Sequence, residues 1–179
     1  MAPYEKEAFK YCMVCGNEFE TVSIIEKHCP KCNYRYFISA KPSSSALIFN
    51  SKNELLMIKR GRDPHKGTWD IPAGFSDDFE TLEDTLVREM KEEINYTVKS
   101  IEYFKSYVGD YEYKGIIKRY LSACFIINMS DEDALNIKAG DDAEEIKWVP
   151  LDKIDYSEIG FETVKQRIED YTQHLTSKI

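Results

Sequence analysis

Two sets of residues in this chain have the types and spacing to do chemistry, and they suit different metals. Cys12 with Cys15 and Cys29 with Cys32 form two pairs, each with two residues between its cysteines. Thiolates so spaced across a tight turn can face one tetrahedral ion, and two such turns supply the four soft ligands that Zn2+ prefers in a closed structural site. Gly16 and Asn33 each follow the second cysteine of a pair, where the chain must bend back and a residue that tolerates positive φ is useful. A site closed by four thiolates has no open position for chemistry, so this zinc is expected to serve folding. His28, beside Cys29, is then a bystander.

The second set is Arg88, Glu89, Met90, Lys91, Glu92 and Glu93, which packs three carboxylates into five residues. Leu82, Leu86, Met90 and Ile94 recur every four residues, the stripe of an amphipathic helix expected over about Phe79 to Ile94. At about 100° per residue, Glu89 and Glu93 project close to Leu82, at the edge of that stripe. Burying carboxylates costs several kcal/mol each unless they are paired, and Arg88 can neutralise one at most. A hard divalent cation, Mg2+ or Mn2+, fits the remainder, because such ions favour carboxylate oxygens and positions i, i+3 and i+4 share a helix face. The alternative is a solvated helix with ordinary surface ion pairs.

The elements that must hold these sets divide the chain. The first forty residues have too few large aliphatics to build a core and require a staple, whereas Lys41 to Ser45 reads as a connector. The expected domains are therefore a zinc ribbon over 1–41 and a larger domain over 42–179. In the latter, Ser45–Asn50 and Glu54–Lys59 read as a hairpin and Gly61–Pro72 as a polar loop. Strands are expected near Val98–Val108, Ile116–Asn128 and Ile146–Val149, and a last helix carries Phe161, Val164, Ile168, Tyr171 and Leu175. Cys124, inside an apolar run, reads as core.

Composition narrows the classes of partner. Of 179 residues 42% are hydrophobic and 31% charged, a globular mixture, and 24 basic against 32 acidic residues leave a net charge of -8. Such a chain repels nucleic acid and anionic membranes, so a phosphate-bearing ligand needs a local attraction. Lys59, Arg60, Arg62, His65 and Lys66 could supply it. Tyr103, Tyr107, Tyr111, Tyr113 and Tyr120 crowd into eighteen residues, where they can stack on a nucleobase or pack a sheet face. No apolar run approaches membrane-spanning length, and Glu5, Lys6 and Glu7 stand where a signal peptide needs apolar residues, so a cytoplasmic location is expected.

From Gly74 to Tyr96 the sequence resembles the Nudix box: Gly, five residues, Glu, seven residues, Arg-Glu, an aliphatic, any residue, Glu-Glu, any residue, Gly, an aliphatic. Gly74, Glu80, Arg88, Glu89, Met90, Glu92 and Glu93 fall in place. Asn95 stands where Gly is usual, Tyr96 replaces an aliphatic, and Ala73 replaces a common second Gly. Asn also tolerates the left-handed conformation that ends a helix, so the fold should survive. Trp148, Val149 and Pro150 extend the likeness more weakly.

The resemblance implies an α/β fold, a Nudix-type α/β/α sandwich with a mixed sheet, preceded here by the ribbon. It implies divalent-metal-dependent hydrolysis of a pyrophosphate linkage in a nucleoside diphosphate joined to another group: a dinucleotide, an ADP-ribose-like compound or a nucleotide sugar. Glu89, Glu92 and Glu93 would hold magnesium, with the Gly74 carbonyl, while Arg88 pairs with Glu80. The general base is left open between Glu89 and the acids Asp141, Asp142, Glu144 and Glu145, with Glu145 also a candidate metal ligand. Arg60, Arg62, Tyr111 and Tyr113 are candidates for substrate binding. A four-cysteine ribbon before such a domain is similar to the NADH pyrophosphatase branch. That branch's Ser-Gln-Pro-Trp signature is absent, however, and Lys105 to Asp110 stand in its place. The expected partner is a small nucleotide rather than nucleic acid or membrane, and a homodimer stays open. The competing reading is a non-catalytic nucleotide-sensing or RNA-binding module on the same fold.

Overall fold

The computed structural model describes residues 2–140 and 143–177. The chain separates into two compact units, Met1–Lys41 with Asp110–Tyr120, and Pro42–Gly109 with Leu121–Ile179.

The smaller unit carries a short helix α1 (Glu5–Ala8) and three short strands, β1 (Glu20–Thr21), β2 (Glu26–His28) and β3 (Arg35–Phe37), in the order β1-β2-β3. Its buried apolar side chains among the described residues are Cys12, Cys29 and Tyr120, helped by Phe9, whose ring lies 5.7 Å from Phe19 and 4.7 Å from Tyr36. Met13, Val14, Ile24 and Phe37 are exposed. Within the same unit, the Tyr4 hydroxyl donates to Asp110 at 2.7 Å and Arg119 Nε donates to the same carboxylate at 3.0 Å.

The larger unit is built on β4 (Lys41–Phe49), β5 (Glu54–Arg60), β6 (Trp69–Asp70), β7 (Ala73–Phe75), β8 (Glu102–Tyr113), β9 (Ile116–Asn128) and β10 (Ala143–Pro150). The sheet runs β10-β5-β4-β9-β8, with β6 paired to β5 and β7 to β4. Two long helices, α2 (Leu82–Ile94) and α4 (Glu162–Ser177), complete it.

Side chains alternate across a strand, and here both sheet faces are apolar. Ala46, Ile48, Leu56, Ile58, Ala123, Phe125 and Ile127 pack with Leu86, Met90 and Ile94 of α2. The intervening Leu47, Phe49, Leu55, Met57, Cys124 and Ile126 pack with Val164 and Ile168 of α4. The result is the α/β/α sandwich the sequence implies, with Cys124 in its core.

The structure departs from the sequence expectations in several places. The stretch Lys41–Ser45, read as a connector, is the first half of strand β4 with Ser43, Ser44 and Ser45 buried, and the strand expected near Val98–Val108 starts at Glu102 and runs to Tyr113. Helix α2 starts at Leu82 rather than Phe79, because Phe79 has φ 70° and Thr81 is an extended N-cap. Thr81 accepts the Asp84 N–H and Asp84 accepts the Thr81 N–H, a reciprocal cap. The loop expected over Gly61–Pro72 contains β6, which pairs Asp70 with Ile58 and Trp69 with Lys59. Finally, Asp131–Asn136 forms a helix, α3, capped by Ser130, within the acidic stretch. At the other end of α2, Asn95 is left-handed at φ 53° and buried Tyr96 packs with Met90 and Ile94. Both departures from the box are thereby absorbed.

Candidate metal centres

All four cysteine Sγ atoms lie within 4.8 Å of one another, with Cys12 and Cys32 3.6 Å apart and Cys15 and Cys29 3.5 Å apart. The turns that deliver them are alike. Gly16 N–H donates to Cys12 O and Asn33 N–H to Cys29 O, and both Gly16 and Asn33 have positive φ, at 72° and 60°. Burial works against ionisation of Cys29, but backbone N–H groups of Cys32 and Lys31, together with the Cys15 and Cys32 thiols, bring it down to about 6, while its neighbour Cys32 is pushed up to about 12 by burial and the other thiols. His28 is outside the cluster, its Nε2 2.8 Å from Asn33 Oδ1. Four converged thiols with N–H donors around them are a donor set that fits zinc.

In the larger unit, α2 carries the acids. Glu93 faces inward at 8% exposure, Glu89 is mostly covered, and the Glu92 side chain is 54% exposed. Arg88 stands at the centre. Its Nε and Nη2 donate to Glu80 at 2.7 and 3.0 Å, Nη1 to Glu89 at 2.7 Å and to Glu92 at 3.1 Å, and Nη2 also to the Phe75 carbonyl at 2.9 Å. The Arg88 hydrogen bonds, with the Asp77 N–H, hold Glu80 down to about 2. Thr85 Oγ1 lies 3.1 Å from Glu80 Oε2, a buried hydroxyl that its place inside the helix stripe did not announce.

Glu93 has no such partner. Its carboxylate accepts the Ala73 N–H at 3.0 Å, and among the described residues no lysine or arginine stands at ion-pair distance from it. Burial first, then the charges of Glu89 and Asp70, push its pKa well above the carboxylate range. Burial also raises Glu89, with Arg88 opposing. Gly74 lies directly against Glu89: a Cβ there would fall 1.8 Å from Glu89 Oε1. The β7–β4 pairing of Gly74 with Ser44 and Ala73 with Ser45 fixes that approach. Gly140 N–H donates to the Glu93 carbonyl, and a Cβ on Gly140 would strike the Glu92 carbonyl at 1.9 Å. Among the described residues the cysteines are the one group whose ligand atoms converge; Arg88 holds Glu89 and Glu92 instead.

The remaining candidates are dispersed. Lys59 pairs with Glu145 at 3.5 Å and Lys66 with Glu144 at 3.4 Å, so these two acids face the basic loop. Asp141 and Asp142 lie outside the described residues. Arg62 is exposed on the same loop, whereas Arg60 is covered and bonded to Asp70 at 2.8 Å. Tyr111 and Tyr113 sit on the end of the β8–β9 hairpin that belongs to the cysteine unit. Sequence reasoning missed Asp70, which is buried in the two-residue strand β6 and meets Arg60 only through the pairing of β6 with β5.

The NUDIX domain family matches residues 40–171. The chain belongs to the Nudix family. It is 32% identical over 123 residues to an ADP-ribose pyrophosphatase of Methanocaldococcus jannaschii, covering 68% of each chain. It is 30% identical over 98 residues to the NAD-capped RNA hydrolase NudC of Photorhabdus laumondii, covering 54% of this chain and 37% of that one, so it spans little more than a third of that relative. Among solved structures, a NUDIX hydrolase from Nitrosomonas europaea superposes with TM-score 0.63 at 23% identity, covering 92% of this chain and 90% of that one. The NUDIX domain of Shewanella oneidensis NrtR, complexed with ADP ribose, also gives 0.63 at 22% identity, covering 83% and 94%. At these identities the superpositions speak for the fold.

Proposed function

We propose that this protein hydrolyses the pyrophosphate linkage of a nucleoside diphosphate joined to a second group, with an ADP-ribose-like compound as the first substrate to test. The observation that carries the reading is the charge deficit at α2. Glu93 is buried with no ion-pair partner among the described residues and only the more distant charge of Arg60 opposing its burial, Glu89 is largely covered beside it, and Arg88 is divided among Glu80, Glu89 and Glu92. A set of hard oxygen donors short of positive charge fits Mg2+ or Mn2+, held by Glu89, Glu92, Glu93 and the Gly74 carbonyl. When bound, such ions neutralise bridged phosphates, activate water and stabilise a departing phosphate.

The chain's own residues do the positioning. Arg88 and Glu80 brace the loop before α2, and the Ala73 N–H orients the Glu93 carboxylate. Glu89 is the candidate base, because its raised pKa suits proton uptake; Glu144 and Glu145, paired with lysines, are the alternatives. Arg62 and Lys66 lie on the loop that would attract phosphates in an otherwise acidic protein. Tyr111 and Tyr113 are stacking candidates for a base. The four cysteines hold a structural zinc. No helix of the described residues is long and apolar enough to cross a membrane. A cytoplasmic location is part of the proposal.

Purified protein incubated with magnesium and ADP-ribose, NADH, diadenosine polyphosphates, nucleoside triphosphates and NAD-capped RNA, with products followed by chromatography, tests this. Release of AMP from ADP-ribose is expected. Tight nucleotide binding without cleavage of any member would instead support a sensor on the same fold, and native-mass measurement settles whether the active species is a homodimer.

A further inference from the structure

Arg60 has the sequence context of a phosphate ligand, yet its guanidinium is already committed. Nε donates to the Pro64 carbonyl at 2.7 Å, Nη1 donates to Asp70 Oδ2 at 2.8 Å, and its plane lies 4.9 Å from the Phe161 ring centroid. The side chain is only 16% exposed and that of Asp70 8%. The other Asp70 oxygen accepts the Ile71 N–H at 2.8 Å. The Arg60 backbone closes the same loop, receiving the Gly67 N–H on its carbonyl and donating its own N–H to Thr68 O.

This lock sits at the root of the segment that meets the acidic helix. From Asp70 the chain passes through Ile71 and Pro72, whose carbonyl accepts the Ala46 N–H, to Ala73, which holds Glu93, and Gly74, which walls Glu89. Both members of the ion pair are near enough for their charges to bear on Glu93, Asp70 against its ionisation and Arg60 in favour. Two residues, Ile71 and Pro72, separate the ion pair from the N–H that orients the buried carboxylate, so a slip of Asp70 reaches Ala73 through a short stretch of chain.

We infer that Arg60 and Asp70 are positioning residues for the carboxylate centre: their ion pair sets the backbone of Asp70–Gly74 against Glu89 and Glu93, and Arg60 does not contact substrate phosphate. The inference rests on the reading of that centre as a divalent-metal site. Supporting groups of this kind change metal affinity about 10–100-fold when altered, while leaving contacts to the rest of the ligand intact.

The test uses the full-length protein and three variants, Arg60→Lys, Asp70→Asn and Arg62→Ala. Arg60→Lys keeps the charge and loses the fork; Asp70→Asn keeps the shape and loses the ion pair. Removing one partner of a covered pair can destabilise the fold, so thermal unfolding is measured for each, and the double variant Arg60→Met with Asp70→Leu restores an apolar fit if a single variant does not fold. Mn2+ binding without substrate is followed by electron paramagnetic resonance, and KM and kcat for ADP-ribose are measured at saturating magnesium. The expected result is Mn2+ affinity about 10–100-fold weaker in Arg60→Lys and Asp70→Asn, kcat reduced, KM within about twofold of wild type, and the double variant folded but still weak for Mn2+. In Arg62→Ala, Mn2+ affinity stays at the wild-type value. A KM raised tenfold in Arg60→Lys with Mn2+ affinity unchanged overturns the inference, as do wild-type values of both or full recovery in the double variant. Wild-type protein that binds no Mn2+ overturns the metal reading itself, and this inference with it.

Discussion

The cysteine cluster and the α2 carboxylates are both candidate metal centres, and they are built on opposite plans. The four Sγ atoms are already gathered within 4.8 Å, on two matched turns closed by the Gly16 and Asn33 N–H groups on the Cys12 and Cys29 carbonyls, in a unit with few buried side chains besides the cysteines. The carboxylates sit on a helix that a two-faced apolar core holds in place without any metal, and Arg88 keeps two of them occupied. A centre that builds its own fold holds its ion permanently, whereas one carried by an independent scaffold can exchange it with each substrate.

The largest effect should separate the two plans outright. Cys29→Ser removes a ligand from a site of the kind worth about 10–16 kcal/mol in isolated zinc peptides, so the smaller unit should lose amide-exchange protection while the amides of α2 keep theirs. Simultaneous loss in both would show that the units do not fold independently. Next, Glu93→Gln should lower turnover about 10²–10³-fold, by removing a group that holds a cation worth several kcal/mol to the transition state.

The same substitution should raise the melting temperature of the metal-free protein at neutral pH. Glu93 has its pKa raised on folding, so its contribution is full at low pH and is lost as pH rises through the raised value; the Gln variant lacks this loss. Thermal unfolding against pH checks the sign. Glu80 runs the other way: its stabilisation is present above about 4.5 and disappears as pH falls toward about 2, and Glu80→Gln should remove that acid-side slope.

A smaller effect is expected from Gly74→Ala. The new methyl displaces the Glu89 carboxylate, a flexible end that can swing away, so the fold should persist while the magnesium concentration for half-maximal rate rises about tenfold. Smallest of all, Asn95→Gly should stabilise by about 0.5–1 kcal/mol in chemical denaturation, since glycine is free of the left-handed strain Asn bears at φ 53°.

How much could be read beforehand follows the same division. The cysteine spacing, the helical stripe and the box glutamates are local patterns, and period and spacing carry them directly in the sequence. The left-handed turns at Asn33 and Asn95 were legible too, because few residue types tolerate them. The start of α2 at Leu82 was hidden by an apolar Phe79 in the stripe's register, which only the backbone takes out of the helix. Asp70 and the commitment of Arg60 were invisible for another reason: residues ten apart meet only after β5 and β6 pair, and no periodicity records that register.

The most direct test is a magnesium titration of ADP-ribose hydrolysis on protein dialysed against chelator, with zinc assayed in the same sample. Exchangeable ions on α2 and a retained ion on the thiolates predict no hydrolysis before magnesium is added, a saturable rise as it returns, and about one zinc per chain throughout. Hydrolysis that proceeds at full rate in chelator, with zinc in place, would contradict the account.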